Sequence, residues 1–128
     1  MSATNLIEQD IPLFREIYYK GSDFDKSVEI YTDEDCETPF DFTYHQGKIL
    51  YKRVNEYRGA LLSFDTENDT LYLTASGLVR RFRQLGIMPD LPIGEYQGDL
   101  RIRDLTNSGW TTIARFILDV RLTANFKG

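Results

Sequence analysis

The residues of this chain whose types could do chemistry are few: one histidine, one cysteine and a short acidic run. His45 sits in Thr43-Tyr44-His45-Gln46-Gly47, just before a turn signal. A nucleophilic triad needs a base hydrogen-bonded to its nucleophile, and histidine is the usual base. Nothing in the sequence pairs His45 with a nucleophile, so it reads as a solvated loop side chain. Cys36 lies within Asp33-Glu34-Asp35-Cys36-Glu37. Neighbouring anions raise a thiol's pKa and suppress the reactive thiolate. The same acidic run offers carboxylate oxygens to calcium but lacks the glycine and alternating spacing of a calcium loop, which makes it a solvated turn. Asp23 and Asp25, flanking Phe24, read the same way. Neither a G-x-G-x-x-G turn nor a P-loop is present to hold phosphate. The expectation is a protein without catalytic residues, metal ligands or cofactor.

Two other groups suit contact with partners. Arg80, Arg81 and Arg83 form the one basic cluster of an otherwise acidic chain. They read as a salt-bridging face or a contact to an acidic neighbour. Tyr18, Tyr19, Tyr31, Tyr51, Tyr57 and Tyr72 are too many for the core of a small sandwich. Exposed tyrosine supplies rigid contact area with a polar tip, which interfaces collect. Cross-strand pairing on a wet face is the competing use. Tyr18, Tyr19 and Tyr31 join the three arginines as candidate interaction residues. Trp110, after a turn glycine, is expected to cap the core in preference to offering a ligand platform.

The totals bound the class. A chain of 128 residues is one domain in size. It carries eight Tyr and eight Phe, which favour strands over helices. The net charge of −5 disfavours nucleic acid and anionic membrane as partners. With one cysteine an intramolecular disulfide is excluded, which suits assembly in a reducing cytosol. No apolar run approaches the roughly 20 residues of a membrane helix. Residues 1–10 lack the basic and apolar parts of a signal peptide.

The elements follow from periodicity. The clearest is residues 91–104, where Pro92 and Gly94 open a strand whose Tyr96, Leu100 and Ile102 share one face. Gln97, Asp99, Arg101 and Arg103 share the other, with Arg101 or a cross-strand Arg115 as the expected partner of Asp99. Asn107-Ser108-Gly109 then turns the chain into a second alternating strand, with Ala114, Phe116, Leu118, Val120 and Leu122 inward. Upstream, residues 11–19 form a strand that Pro12 confines to a sheet edge. Residues 26–31 alternate around Val28 and Ile30. Residues 40–44 make a corner that plugs the sandwich, and residues 48–56 are a further strand. Residues 60–65 and 70–74 are expected to pair as a hairpin across Thr66-Glu67-Asn68-Asp69. Residues 77–85 fit either a strand or a short helical turn. About eight short strands with frequent turn signals predict an all-β fold, a single antiparallel β-sandwich of immunoglobulin-like or jelly-roll-like type. The domain covers residues 11–123, with an arm at 1–10 and a tail at 124–128.

The order of these segments resembles the small β-sandwich module of tailed-phage virion proteins, the type at the N-terminus of upper-baseplate and tail-fibre-attachment proteins. The matching segments are Gly21-Ser22-Asp23, Val28-Glu29-Ile30, Thr38-Pro39-Phe40-Asp41-Phe42-Thr43 and Ile49-Leu50-Tyr51-Lys52-Arg53. Leu61-Leu62-Ser63-Phe64-Asp65-Thr66 and Leu91-Pro92-Ile93-Gly94-Glu95-Tyr96-Gln97-Gly98-Asp99-Leu100 complete the series. Within the last, Gly94, Tyr96, Asp99 and Leu100 are the structural motif. The resemblance implies a non-enzymatic structural protein of the virion, assembled in the host cytoplasm. Its implied partners are other virion proteins and copies of itself, in the tail, baseplate or fibre-attachment region. A neck, collar or capsid-decorating subunit is the alternative, as is a module that binds a host glycan or receptor.

Overall fold

A computed structural model describes residues 11–33, 35–55, 61–106 and 109–122. The arm at 1–10, the tail at 124–128, Tyr57 and the Asn107-Ser108 part of the expected turn lie outside the described residues. The strands are β1 (Leu13–Tyr19), β2 (Phe24–Glu29), β3 (His45–Arg53), β4 (Leu62–Asp65), β5 (Leu71–Leu73), β6 (Leu78–Arg83), β7 (Gly94–Asp104) and β8 (Thr111–Arg121). They form a five-stranded sheet in the order β1-β8-β7-β3-β4 and a three-stranded sheet in the order β2-β6-β5. The fold is an all-β sandwich, as the alternation predicts.

The pair β7–β8 is its spine. Tyr96, Leu100 and Ile102 from β7 and Ala114, Phe116, Leu118 and Val120 from β8 are buried, while Leu122, expected to continue that face, is exposed. Asp99 stands opposite Arg115, and the register slips between Leu100 and Arg101, so that Ile113 is an extra residue in β8. Gly94 opens β7 at φ +145°, a conformation that side chains disfavour. The Tyr96 hydroxyl donates to Pro92 O at 2.7 Å and closes the turn behind it.

Two pairings depart from the sequence reading. β1 runs parallel to β8, from Leu13 opposite Arg115 to Tyr19 opposite Arg121, so the sandwich is not antiparallel throughout. These are the first and last strands among the described residues, and no short loop constrains their relative direction. Phe14 stacks on Phe116 with ring centroids 5.4 Å apart. The expected hairpin across residues 66–69 is instead a corner between sheets, because β4 pairs with β3 and β5 with β6. Local hydrogen bonds hold it. Glu67 N donates to the Asp65 carboxylate at 2.8 Å, Asp65 N donates to Thr70 Oγ1 at 2.8 Å, and Thr70 is buried. Asp69 takes a left-handed conformation at φ +56°. Of the two forms open to residues 77–85, the strand is realised, with Val79 and Arg81 inward.

The expected plug is present. Phe42 is buried against Phe40, with centroids 4.7 Å apart, and Tyr44 beyond it is exposed.

One polar group crosses the core. Arg81 is fully buried. Its Nη2 donates to Glu16 Oε2 at 2.8 Å, and its Nη1 reaches the other oxygen of that carboxylate. Nη1 also donates to the Tyr51 hydroxyl at 3.1 Å, and the guanidinium lies 4.3 Å from the Phe116 ring centre. Gly98, opposite Tyr51 in the ladder, makes room for that ring: a Cβ there would lie 2.9 Å from Tyr51 Cδ1.

Removing one partner of a buried ion pair strands the other charge. Arg81→Met is therefore expected to cost about 3–5 kcal/mol in urea denaturation, and Arg81→Met with Glu16→Leu to recover most of it. A neutral single substitution would show that the pair does not tie the sheets. Burial also pushes the Tyr51 phenol up to about 12, whereas the unfolded chain releases that proton near pH 10. This contribution is complete below pH about 10 and disappears as pH rises towards about 12. Stability should fall less steeply across that interval in Tyr51→Phe, and equal slopes would exclude the phenol as the cause.

Candidate functional site

The residues with chemical potential do not converge. His45 is the first residue of β3, not a loop residue, and is half-buried. Its Nδ1–H donates to Thr43 O at 3.1 Å, and its ring meets Phe40 and Phe42 edge-on at 5.6 and 6.4 Å. That packing, together with a backbone acceptor, accounts for its position without a reactant. Cys36 is exposed at φ +56° in the acidic turn. Among the described residues no group of three or more His, Cys, Asp or Glu side chains is placed to hold a metal ion.

The basic cluster is divided by the strand's own alternation. Arg81 points into the core, where it cannot meet a partner protein, contrary to its assignment as an interaction residue. Arg80 points outward and grips Asp25 with both nitrogens, at 2.9 and 3.0 Å. That grip holds the Asp25 carboxyl below its usual range. Arg83 is half-buried and ties β6 to its surroundings through Ser63 O at 3.0 Å and Ile87 O at 3.2 Å. The three guanidiniums serve the domain itself, as the salt-bridging reading anticipated for Arg80.

The tyrosines separate in the same way. Tyr18 is buried and its hydroxyl donates to Ser22 O at 2.6 Å, so it is a core residue and not a contact. Tyr51 is buried against Arg81. Tyr31 is half-buried with its hydroxyl on Glu29 at 2.8 Å, and Tyr72 bonds to Asp69 O at 2.6 Å. Of the candidates Tyr18, Tyr19 and Tyr31, only Tyr19 stays on an open surface. Trp110 does not cap the core. It lies half-buried outside the core cluster, with Lys48 Nζ 4.3 Å and Arg103 Cζ 5.1 Å from its ring centre. The motif residues are structural: Tyr96 and Leu100 are core, and Asp99 accepts from Arg115 at 2.9 Å, the cross-strand partner anticipated.

Of the sheet edges among the described residues, β1, β4, β2 and β5, the longest is β1. Arg115 N donates to Pro12 O and Lys20 N to Arg121 O, each at 2.9 Å. Even-numbered residues of β1 thus face β8, and the backbone groups of Leu13, Arg15, Ile17 and Tyr19 point away from the sheet. Among the described residues no strand pairs with them. The side chains of this set lie on the outer face, where Leu13, Ile17 and Tyr19 are 49%, 37% and 41% exposed. A long regular edge with apolar flanks is what most domains cover or blunt. Its sequence signal is present: β1 carries apolar residues on both faces, Phe14 and Tyr18 beside Glu16 inward, and Leu13, Ile17 and Tyr19 beside Arg15 outward. Sequence reasoning located the edge through Pro12 and selected Tyr19 from its outer residues, but not Leu13 or Ile17.

No known family model matches the chain, and no curated protein is similar to it in sequence.

Exposed ion pairs contribute little because water screens them. Arg80→Ala is expected to cost under about 1 kcal/mol in urea denaturation, well below the loss from Arg81→Met. Equal losses would show that the strand's alternation does not divide the cluster.

Proposed function

We propose that the chain is a non-enzymatic structural protein of a tailed bacteriophage particle, making assembly contacts in the tail, baseplate or fibre-attachment region. The observation that carries this reading is the β1 edge: seven regular residues, apolar on both faces save Arg15 and Glu16, with an outer row of backbone groups that no described strand pairs. Such an edge suits strand addition from a neighbouring subunit, in which main-chain hydrogen bonds supply affinity and alternate side chains supply fit. The resemblance of residues 11–123 to phage virion sandwich modules supports the same role. A neck, collar or capsid-decorating position would use the same edge and differ only in location.

A glycan-binding role finds less support. Sugar platforms need an open aromatic face, and Trp110 is half-buried with two cations against its ring.

The expected outcome is that peptides of this chain appear at constant stoichiometry in mass spectra of purified particles from the source phage or induced prophage. Consistent absence from intact particles would overturn the virion assignment. Ile17→Lys places a charge on the outer face of the edge without touching the core. The variant should fold normally, by circular dichroism, yet enter particles at a reduced level. Normal occupancy would show that another surface makes the contact.

A further inference from the structure

The outer face of the large sheet gathers cations where β3 runs beside β7. Lys48 pairs directly with Arg101, and Lys52 stands opposite Gln97 four residues along. With Arg53 they line a groove of about 470 Å³ floored by Leu50 and Val54. Like charges directly opposite in a ladder repel each other; Asp65, the neighbour of Lys48 on its other side, offsets this for Lys48, whereas Arg101 has Thr112 there. Among the described residues the one acid in the groove is Asp99, already engaged by Arg115 at 2.9 Å. Lys48 rests on Trp110, and Arg53 Nη2 donates to Ile93 O at 2.9 Å. The side chains of Lys52 and Arg101 are exposed and make no hydrogen bond or ion pair among the described residues.

This basic groove belongs to a chain of net charge −5, so the compensating acids lie elsewhere on the same molecule. A dense group of them is the turn between β2 and β3. There Asp33 is spent on the backbone, accepting from Glu37 N and Thr38 N at 3.1 Å each. The carboxylates of Asp35 and Glu37 are exposed and unengaged among the described residues. The turn packs beside Pro12 and Phe14, at the β1 edge of the domain. The groove lies two strands further in, between β7 and β3.

We infer that the acidic turn of one copy docks in the β3–β7 groove of a second copy, setting Asp35 and Glu37 against Lys52 and Arg101. The joined patches are different, so the contact is head-to-tail and propagates into a ring or a filament. It deepens the proposed assembly role, on which it rests for taking a second copy as the occupant. Opposite charges steer such an encounter and fix its register, and salt weakens it. This contact leaves the β1 strand edge available for a different neighbour.

Sedimentation velocity of the full chain tests the inference. Self-association is expected at about 0.01 M salt and should weaken at least about tenfold towards 1 M, where the screening length shrinks from about 30 Å to about 3 Å. Lys52→Glu with Arg101→Glu should sediment as a monomer at low salt, as should Asp35→Lys with Glu37→Lys. Both pairs are on the surface, and circular dichroism should confirm their folds. An equimolar mixture of the two variants sets each acidic patch of one against a basic patch of the other and should associate at one-to-one stoichiometry. A wild-type monomer at every salt concentration would overturn the contact, as would association that neither variant changes or a mixture that stays monomeric. Heparin bound by a chain that stays monomeric would identify a polyanion, not a second copy, as the occupant. A monomeric chain that is nevertheless a stoichiometric particle component would overturn this contact alone and leave the virion role standing.

Discussion

The two sheets meet around a charge that has nowhere else to go. Arg81 enters the core from the middle strand of the small sheet and touches three strands of the large one: Glu16 on β1, Tyr51 on β3 and Phe116 on β8. A guanidinium in an apolar interior is tolerable only with its carboxylate and hydrogen bonds in place. A one-residue slip of β6 would bring Arg80 and Phe82 inward and leave Glu16 facing the wrong side chains. The network therefore sets which faces meet and in what register. Apolar packing supplies most of the driving force for their burial.

Smaller choices follow from that one. Tyr51 can present its hydroxyl because its neighbour across the ladder is Gly98. β1 must sit at the edge beside β8 for Glu16 to reach Arg81, and its other edge is left unpaired among the described residues. The feature that stabilises the inside thus creates the surface best suited to a neighbouring subunit. The outer face has its own division of labour. Ion pairs such as Asp99–Arg115 and Asp25–Arg80 satisfy charges within the domain, while Lys52 and Arg101 in the β3–β7 groove make no ion pair among the described residues.

Alternation by itself determined the inward faces of β7 and β8, because a period of two leaves only one way to bury Tyr96, Leu100, Phe116 and Leu118 together. It also determined that the fold is all-β and that Pro12 marks an edge strand, and it narrowed the partner of Asp99 to Arg101 or Arg115. None of these depends on distant partners. The pairing of β4 with β3, the parallel approach of β1 to β8, and the burial of Arg81 and Tyr18 were decided only in three dimensions. A turn signal marks where a chain bends but not whether the next strand stays in the same sheet. Residue type likewise sends arginine to the surface until a carboxylate from a strand 65 residues away in sequence meets it inside. The groove depends on the same long-range pairing, since Lys48 and Arg101 are far apart in the chain and adjacent only in the ladder.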